Sequence, residues 1–212
     1  MNKIIDNIKR NSIIISFIII LGIAFFLRFY KIETAPKAIH LDETVNGYVG
    51  RFILDNGVDL YGNRFPLFYF DKFGDYPPVI PMYIQSIGTY LFGFTELGSR
   101  SIVALLGCLL LIPLYFIAAM IFKDKRSALF TMFLAAIIPW QIVFSRTSAE
   151  GIMASFFYLI GLYLLFSFWK KNSLKLLGYS IPFFLATFFL YPPFRIITTL
   201  TFVPLPLFFF FN

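Results

Sequence analysis

A chain of 212 residues is long enough for one or two soluble domains, but a composition that is 59% apolar and 14% charged, with a mean hydropathy of +0.80, excludes them. Its 30 Phe and 12 Tyr lie among Ile and Leu runs as long as a bilayer is thick, so the sequence reads as an all-α integral membrane protein. Disorder, collagen and a disulfide scaffold are excluded with it, Cys108 being the single cysteine. The net charge of +7 sits in clusters that flank apolar runs, which makes it a topology signal and argues against nucleic acid as a partner.

Taken in chain order, about six apolar stretches are expected to cross the membrane: roughly 12–30, 101–122, 127–145, 150–169, 175–190 and 196–211. The first ends in FFLRFYK without a small-residue cleavage pattern and is expected to stay as a signal anchor. Lys3, Lys9 and Arg10 precede it; Lys123, Lys125 and Arg126 separate the second and third stretches; Lys170, Lys171 and Lys175 separate the fourth and fifth. The positive-inside rule puts these clusters and the N-terminus in the cytoplasm of a multi-pass cell-membrane protein. Segments 31–100, 146–150 and 191–195 then face outward. VIPMYIQSIGTYLFG (79–93) is short and carries Gln85, Ser86, Gly88 and Thr89. A crossing there would invert every later cluster, so it is expected to be interfacial or re-entrant.

Between the first two spans lies the long outer loop, 31–100, rich in acids. Val45, Tyr48, Val49, Phe52 and Ile53 recur at helical spacing, so 43–55 is expected to be an amphipathic juxtamembrane helix, stopped by Asn56 and Gly57 and lying flat on the membrane. Turn chemistry at Gly62 and Asn63 follows.

Asp42 and Glu43 form the sharpest local feature. Either Asp42 is an N-cap with Glu43 favoured by the helix dipole, or a carboxylate held at the membrane surface takes the proton of an attacking hydroxyl while its neighbour supports it. Glu150 follows Arg146 at the outer mouth of the third and fourth spans, either as an i,i+4 salt bridge or as a second acidic site for an acceptor or metal. Tyr191 and Arg195 form a third outward cluster, Arg195 being either an interfacial anchor or, like Lys72 on the same face, a cation that suits a phosphate. With His40 the sole histidine, a histidine metal site is excluded; Asp42, Glu43 and Glu150 are candidate oxygen ligands for Mg or Mn. No Gly-rich phosphate loop is present, which argues against a nucleotide substrate.

LDE followed by the amphipathic helix, then GDYPPVIPMYIQSIGTYLFGFTELGSRS, then PWQIVFSRTSAEGIMASFFYLIGLYLL, in that order, resembles the GT-C glycosyltransferases of the protein mannosyltransferase type (glycosyltransferase family 39) and the related aminoarabinose transferases. The resemblance covers nearly the whole chain. It implies an inverting hexosyl- or pentosyltransferase that moves a sugar from a polyprenyl-phosphate donor to a hydroxyl of a protein, lipid or glycan outside the cytoplasm. It also implies that Asp42 is the catalytic base, with Glu43 beside it and Glu150 as the second acid. Tyr191 and Arg195 match a tyrosine-to-arginine segment of the relatives. Where relatives carry a lysine before a proline pair, this chain has Tyr76, and Lys72 is the expected replacement at the donor phosphate. Relatives continue for several more spans, so residues 1–212 are expected to be the N-terminal part of a larger transmembrane domain. Two other readings are a transporter or flippase with Arg146, Glu150 and Arg195 along its pathway, and a non-catalytic membrane scaffold.

Overall fold

The computed structural model describes residues 2–37, 39–71 and 74–202, with side chains from residue 11 onward. Ten helices account for most of them: α1 (Asn2–Phe29), α2 (Leu41–Asn56), α3 (Ile80–Phe92), α4 (Glu96–Leu109), α5 (Leu111–Phe122), α6 (Lys125–Ile137), α7 (Pro139–Arg146), α8 (Glu150–Lys171), α9 (Leu174–Leu190) and α10 (Pro193–Phe202). β-Pairing among the described residues is confined to isolated bridges, Val58 to Arg64 and Tyr69 to Pro78. The all-α membrane architecture is therefore as expected.

The number of long spans differs from the expectation. Asn11–Phe29, Glu96–Phe122 and Glu150–Lys171 are each long and apolar enough to cross a bilayer. The pair α6 and α7, bent by 55°, makes a fourth if the two helices are counted as one broken span. The expected crossing at 175–190 is α9, whose 17 residues reach only about 26 Å at 1.5 Å per residue, short of a hydrocarbon core of about 30 Å. The one expected at 196–211 begins in α10, and its part beyond Phe202 lies outside the described residues.

Local chemistry sets the boundaries. The second span starts at Glu96 rather than 101 because the Thr95 hydroxyl accepts the Gly98 N–H at 3.0 Å and caps the helix. Asp124 does the same for α6, accepting the Ser127 N–H at 2.8 Å. Pro139 breaks the third span: it has no N–H, and it holds Ile138 in an extended conformation with ψ of 123°. The core where α1, α4, α6 and α8 meet is lined by small or flexible side chains, among them Ala24, Ala104, Met132, Ala136 and Ala154, which allow close helix packing.

Helix α2 spans Leu41–Asn56, close to the expected range, and ends at Gly57, whose φ of 73° is left-handed and whose N–H bonds Ile53 O at 2.8 Å. Its buried face is not the expected apolar stripe. Tyr48 is exposed, whereas Glu43, Asn46, Gly47 and Gly50 are buried with Val49 and Ile53. The reason is close packing on α3 and α4: a Cβ at Gly50 would collide with the Met82 carbonyl. The segment 79–93 forms α3, with Gln85, Ser86 and Thr89 buried.

Beyond α2, Asp59 organises the expected turn. Its Oδ1 accepts the N–H groups of Tyr61 (2.9 Å) and Asn63 (2.8 Å), its Oδ2 accepts Asn63 Nδ2 (2.8 Å), and Gly62 supplies a φ of 85°. Burial pushes the Asp59 carboxyl up, but these donors outweigh it and leave its pKa below the ordinary value. A depressed folded pKa gives stabilisation that is present above the unfolded pKa of about 3.9 and is lost as pH falls through the folded value. Asp59→Ala should remove about 1 to 3 kcal/mol of local stability near neutral pH, read as loss of amide protection at Tyr61 and Asn63. The wild-type protein should match the variant only in strong acid.

Candidate active site

The site starts at the first turn of α2. His40, extended at φ −71° and ψ 148°, is the N-cap, its Nδ1 accepting the Asp42 N–H at 3.3 Å. Asp42 is therefore not the cap, and both acids lie in the first turn, where the helix dipole favours them. An α-helix turns about 100° per residue, so adjacent side chains point apart. Asp42 is 56% exposed and its Oδ2 lies 3.3 Å from His40 Nδ1.

Glu43 points inward. Its side chain is 2% exposed, and its Oε2 accepts Arg100 Nε at 2.8 Å, Arg100 being wholly buried on α4. Arg100 Nη1 also donates to Ile32 O (2.8 Å) and Pro36 O (3.1 Å), which ties the segment before the cap to the same pair. Arg100 was not visible as a site residue in the sequence, where it reads as one more charge at the end of the loop.

Asn46 lies one turn beyond Asp42, on the same side of α2. Its Nδ2 donates to Glu150 Oε1 at 3.0 Å and so joins α2 to the first residue of α8. The bend before α8 is fixed by Ser148, which has a φ of 53°, donates its hydroxyl to Ser99 O at 2.6 Å and accepts Gln85 Nε2 on its carbonyl at 3.1 Å. The buried Gln85, one of the polar residues that made 79–93 a poor span, thus belongs to the support of this corner. Asp42, Asn46, Ser148, Glu150 and Tyr191, with His40, line a cavity of about 420 Å³. That volume lies within the range of small-ligand pockets. The Tyr191 ring lies beside Gly151, at a distance where a Cβ would be in ordinary van der Waals contact with it.

The other expected residues lie elsewhere. The i,i+4 arrangement of Arg146 and Glu150 does not form, because α7 ends at Arg146 and α8 begins at Glu150, with the left-handed Ser148 between them. Arg146 instead donates to backbone carbonyls of Leu27, Tyr30, Lys31 and Ala35. Arg195 is exposed on α10 with Nε on Phe188 O at 3.1 Å, and Tyr76 is exposed beside Tyr69; neither lines the cavity. Lys72 lies outside the described residues.

The three-carboxylate set considered for Mg or Mn is not assembled. Asp42 and Glu150 share the cavity, but Glu43 is turned to Arg100, and among the described residues no group of three or more His, Cys, Asp or Glu is placed to hold an ion. What the cavity does offer is a surface carboxylate, Asp42, and a second one, Glu150, oriented by an amide.

No curated protein and no solved structure matches the chain. A family model described as dolichyl-phosphate-mannose-protein mannosyltransferase does, over residues 75–210. That range includes Glu150, Tyr191 and Arg195, while Asp42 and Glu43 precede it. Because the match spans well over half of the sequence, this chain belongs to the dolichyl-phosphate-mannose-protein mannosyltransferase family and is a membrane glycosyltransferase.

Proposed function

We propose that the cavity transfers a hexose or pentose from a polyprenyl-phosphate donor to a hydroxyl of a protein, lipid or glycan, with inversion, on the extracytoplasmic face of the cell membrane. The observation that carries this reading is the convergence of Asp42 and Glu150, far apart in sequence, on one cavity at one end of the helices. Two hollows support the orientation. Lys123, Lys125 and Lys170 line one, and Ser12, two residues beyond Arg10, joins Lys123 and Arg126 in another. Basic residues from separate clusters thus lie near one another, with Asp124 among them, which supports reading that end as the cytoplasmic one.

In this mechanism Asp42 accepts the proton of the acceptor hydroxyl, whose oxygen attacks the anomeric carbon. The bond from that carbon to the phosphate oxygen breaks, and polyprenyl phosphate leaves with the electron pair. Such a leaving group needs no general acid; the candidates to stabilise its charge are Lys72 and Arg195, the latter outside the cavity lining, so that it meets only a phosphate lying beyond the cavity. Glu150, oriented by Asn46, binds a hydroxyl of the sugar or the acceptor.

Membranes carrying the full chain, supplied with labelled polyprenyl-phosphate sugars and nucleotide sugars in parallel, should transfer label from a lipid donor only, with inverted anomeric configuration. Transfer from a nucleotide sugar alone, or retention of configuration, would overturn the proposal. Lys72→Ala or Arg195→Ala should raise the donor KM about ten- to a hundredfold, the equivalent of one charge-assisted contact, and spare acceptor binding.

A further inference from the structure

Two arginines at the helix ends make contacts that the transfer mechanism does not use. Arg146, the last residue of α7, directs its guanidinium at the chain around the end of α1: Nη1 donates to Leu27 O (2.8 Å), Nη2 to Tyr30 O (2.9 Å), Lys31 O (3.1 Å) and Ala35 O (2.7 Å), and Nε to Ala35 O (3.0 Å). Arg28, in the last turn of α1 and wholly buried, returns the contact. Its Nη1 donates to Ala24 O on its own helix (3.0 Å) and to Ala136 O near the end of α6 (3.1 Å).

The exchange has a physical reason. The last carbonyls of a helix lack intrahelical partners and carry the negative end of the helix dipole. Inside a bilayer no water satisfies them. The span formed by α6 and α7 creates such carbonyls at membrane depth, because Pro139 supplies no N–H and Ile138 leaves the helical conformation. A guanidinium at each junction supplies donors and positive charge there, Arg146 at the end of α1 and Arg28 Nη1 at Ala136 O of α6, while Arg28 Nε and Nη2 have no hydrogen-bond partner among the described residues. Gly107 on α4 completes the fit: a Cβ there would collide with Ser145, the neighbour of Arg146, and its carbonyl accepts Gln141 Nε2 at 3.0 Å.

We propose that Arg28 and Arg146 form a reciprocal clasp that fixes the break between α6 and α7 against the first span, and that both act as positioning residues for the active site. Thr147 and Ser148, immediately after Arg146, are cavity residues, so any slip of α7 along α1 displaces that wall and Glu150 with it. The link to catalysis rests on the transferase reading; the clasp itself rests on geometry alone. The halves are unequal. Arg146 uses three nitrogens on four residues, a spread that an ammonium cannot reproduce, whereas both Arg28 bonds run through one nitrogen.

The test places a cysteine at Thr147 in a Cys108→Ser background and measures its reaction rate with a methanethiosulfonate reagent in the full, membrane-inserted chain, normalised to folded protein. Arg146→Gln, Arg146→Lys and Arg28→Gln should each change that rate about tenfold, the scale of one lost charge-assisted contact. Arg28→Lys should restore it to within about twofold of the parent, since one donor nitrogen suffices there. In the glutamine variants kcat should fall while donor KM and the pH profile stay put. An unchanged labelling rate in the glutamine variants overturns the clasp, as does a rise in donor KM at unchanged labelling, which would make Arg146 a donor ligand. If Arg146→Gln does not fold, the Arg28 pair decides: equal labelling in Arg28→Gln and Arg28→Lys overturns the proposal. Labelling needs no turnover, so a failure of sugar transfer in the parent sinks the transferase mechanism and leaves the clasp to its own measurement.

Discussion

Asp42→Asn should cut sugar transfer by about 10²- to 10⁴-fold, the usual contribution of a positioned general base, and leave the protein folded. The amide has the size of the carboxylate and can still hydrogen-bond to an acceptor hydroxyl, but it cannot take the proton. Folding should survive because His40, not Asp42, caps α2, and because the Asp42 side chain is 56% exposed. The loss of a charge from the first turn costs only about 0.3 to 1 kcal/mol. Single-turnover rates measured beside the melting temperature separate the two effects. Near wild-type turnover would reduce Asp42 to a favourable charge at a helix start and move the search for a base to Glu150. Glu150→Gln should be milder, since an amide oxygen can still accept from Asn46.

The parts of this fold that were legible in the sequence are those governed by local chemistry. The left-handed Gly57 and the turn at Gly62 each depend on a few adjacent residues, and each is where the pattern put it. The buried face of α2 was misread, because apolar spacing reports what prefers to leave water and not what a neighbouring helix can approach. Gly47 and Gly50 admit α3 and α4, so the polar Glu43 and Asn46 are drawn inside and Tyr48 is left out. The break in the third span had a visible signal in Pro139, overridden by the continuous hydropathy from 127 to 145. Asn46 was within reach too, one helical turn from Asp42. Arg100 was not, because its partners Glu43, Ile32 and Pro36 lie 57 to 68 residues away, and only the tertiary fold brings them together.

That long-range contact gives the largest stability effect expected in the molecule. Glu43 and Arg100 form an ion pair with side chains 2% and 0% exposed, and removing one member of such a pair costs about 3 to 5 kcal/mol because the other charge stays buried without compensation. Arg100→Leu should be the more harmful, since it strands the carboxylate and also releases the carbonyls of Ile32 and Pro36, the anchor of the segment leading to His40. Glu43→Leu takes the carboxylate from the guanidinium but leaves those carbonyl bonds in place. The double variant should be more stable than the sum of the two losses predicts, and a double-mutant cycle measures that coupling. Glu43→Gln keeps an oxygen that can accept from Arg100 Nε, so per folded molecule it should lose less transfer activity than Asp42→Asn. If it loses more, with melting temperature unchanged, the two acids exchange roles: Glu43 takes part in the chemistry, and Asp42 serves the start of α2.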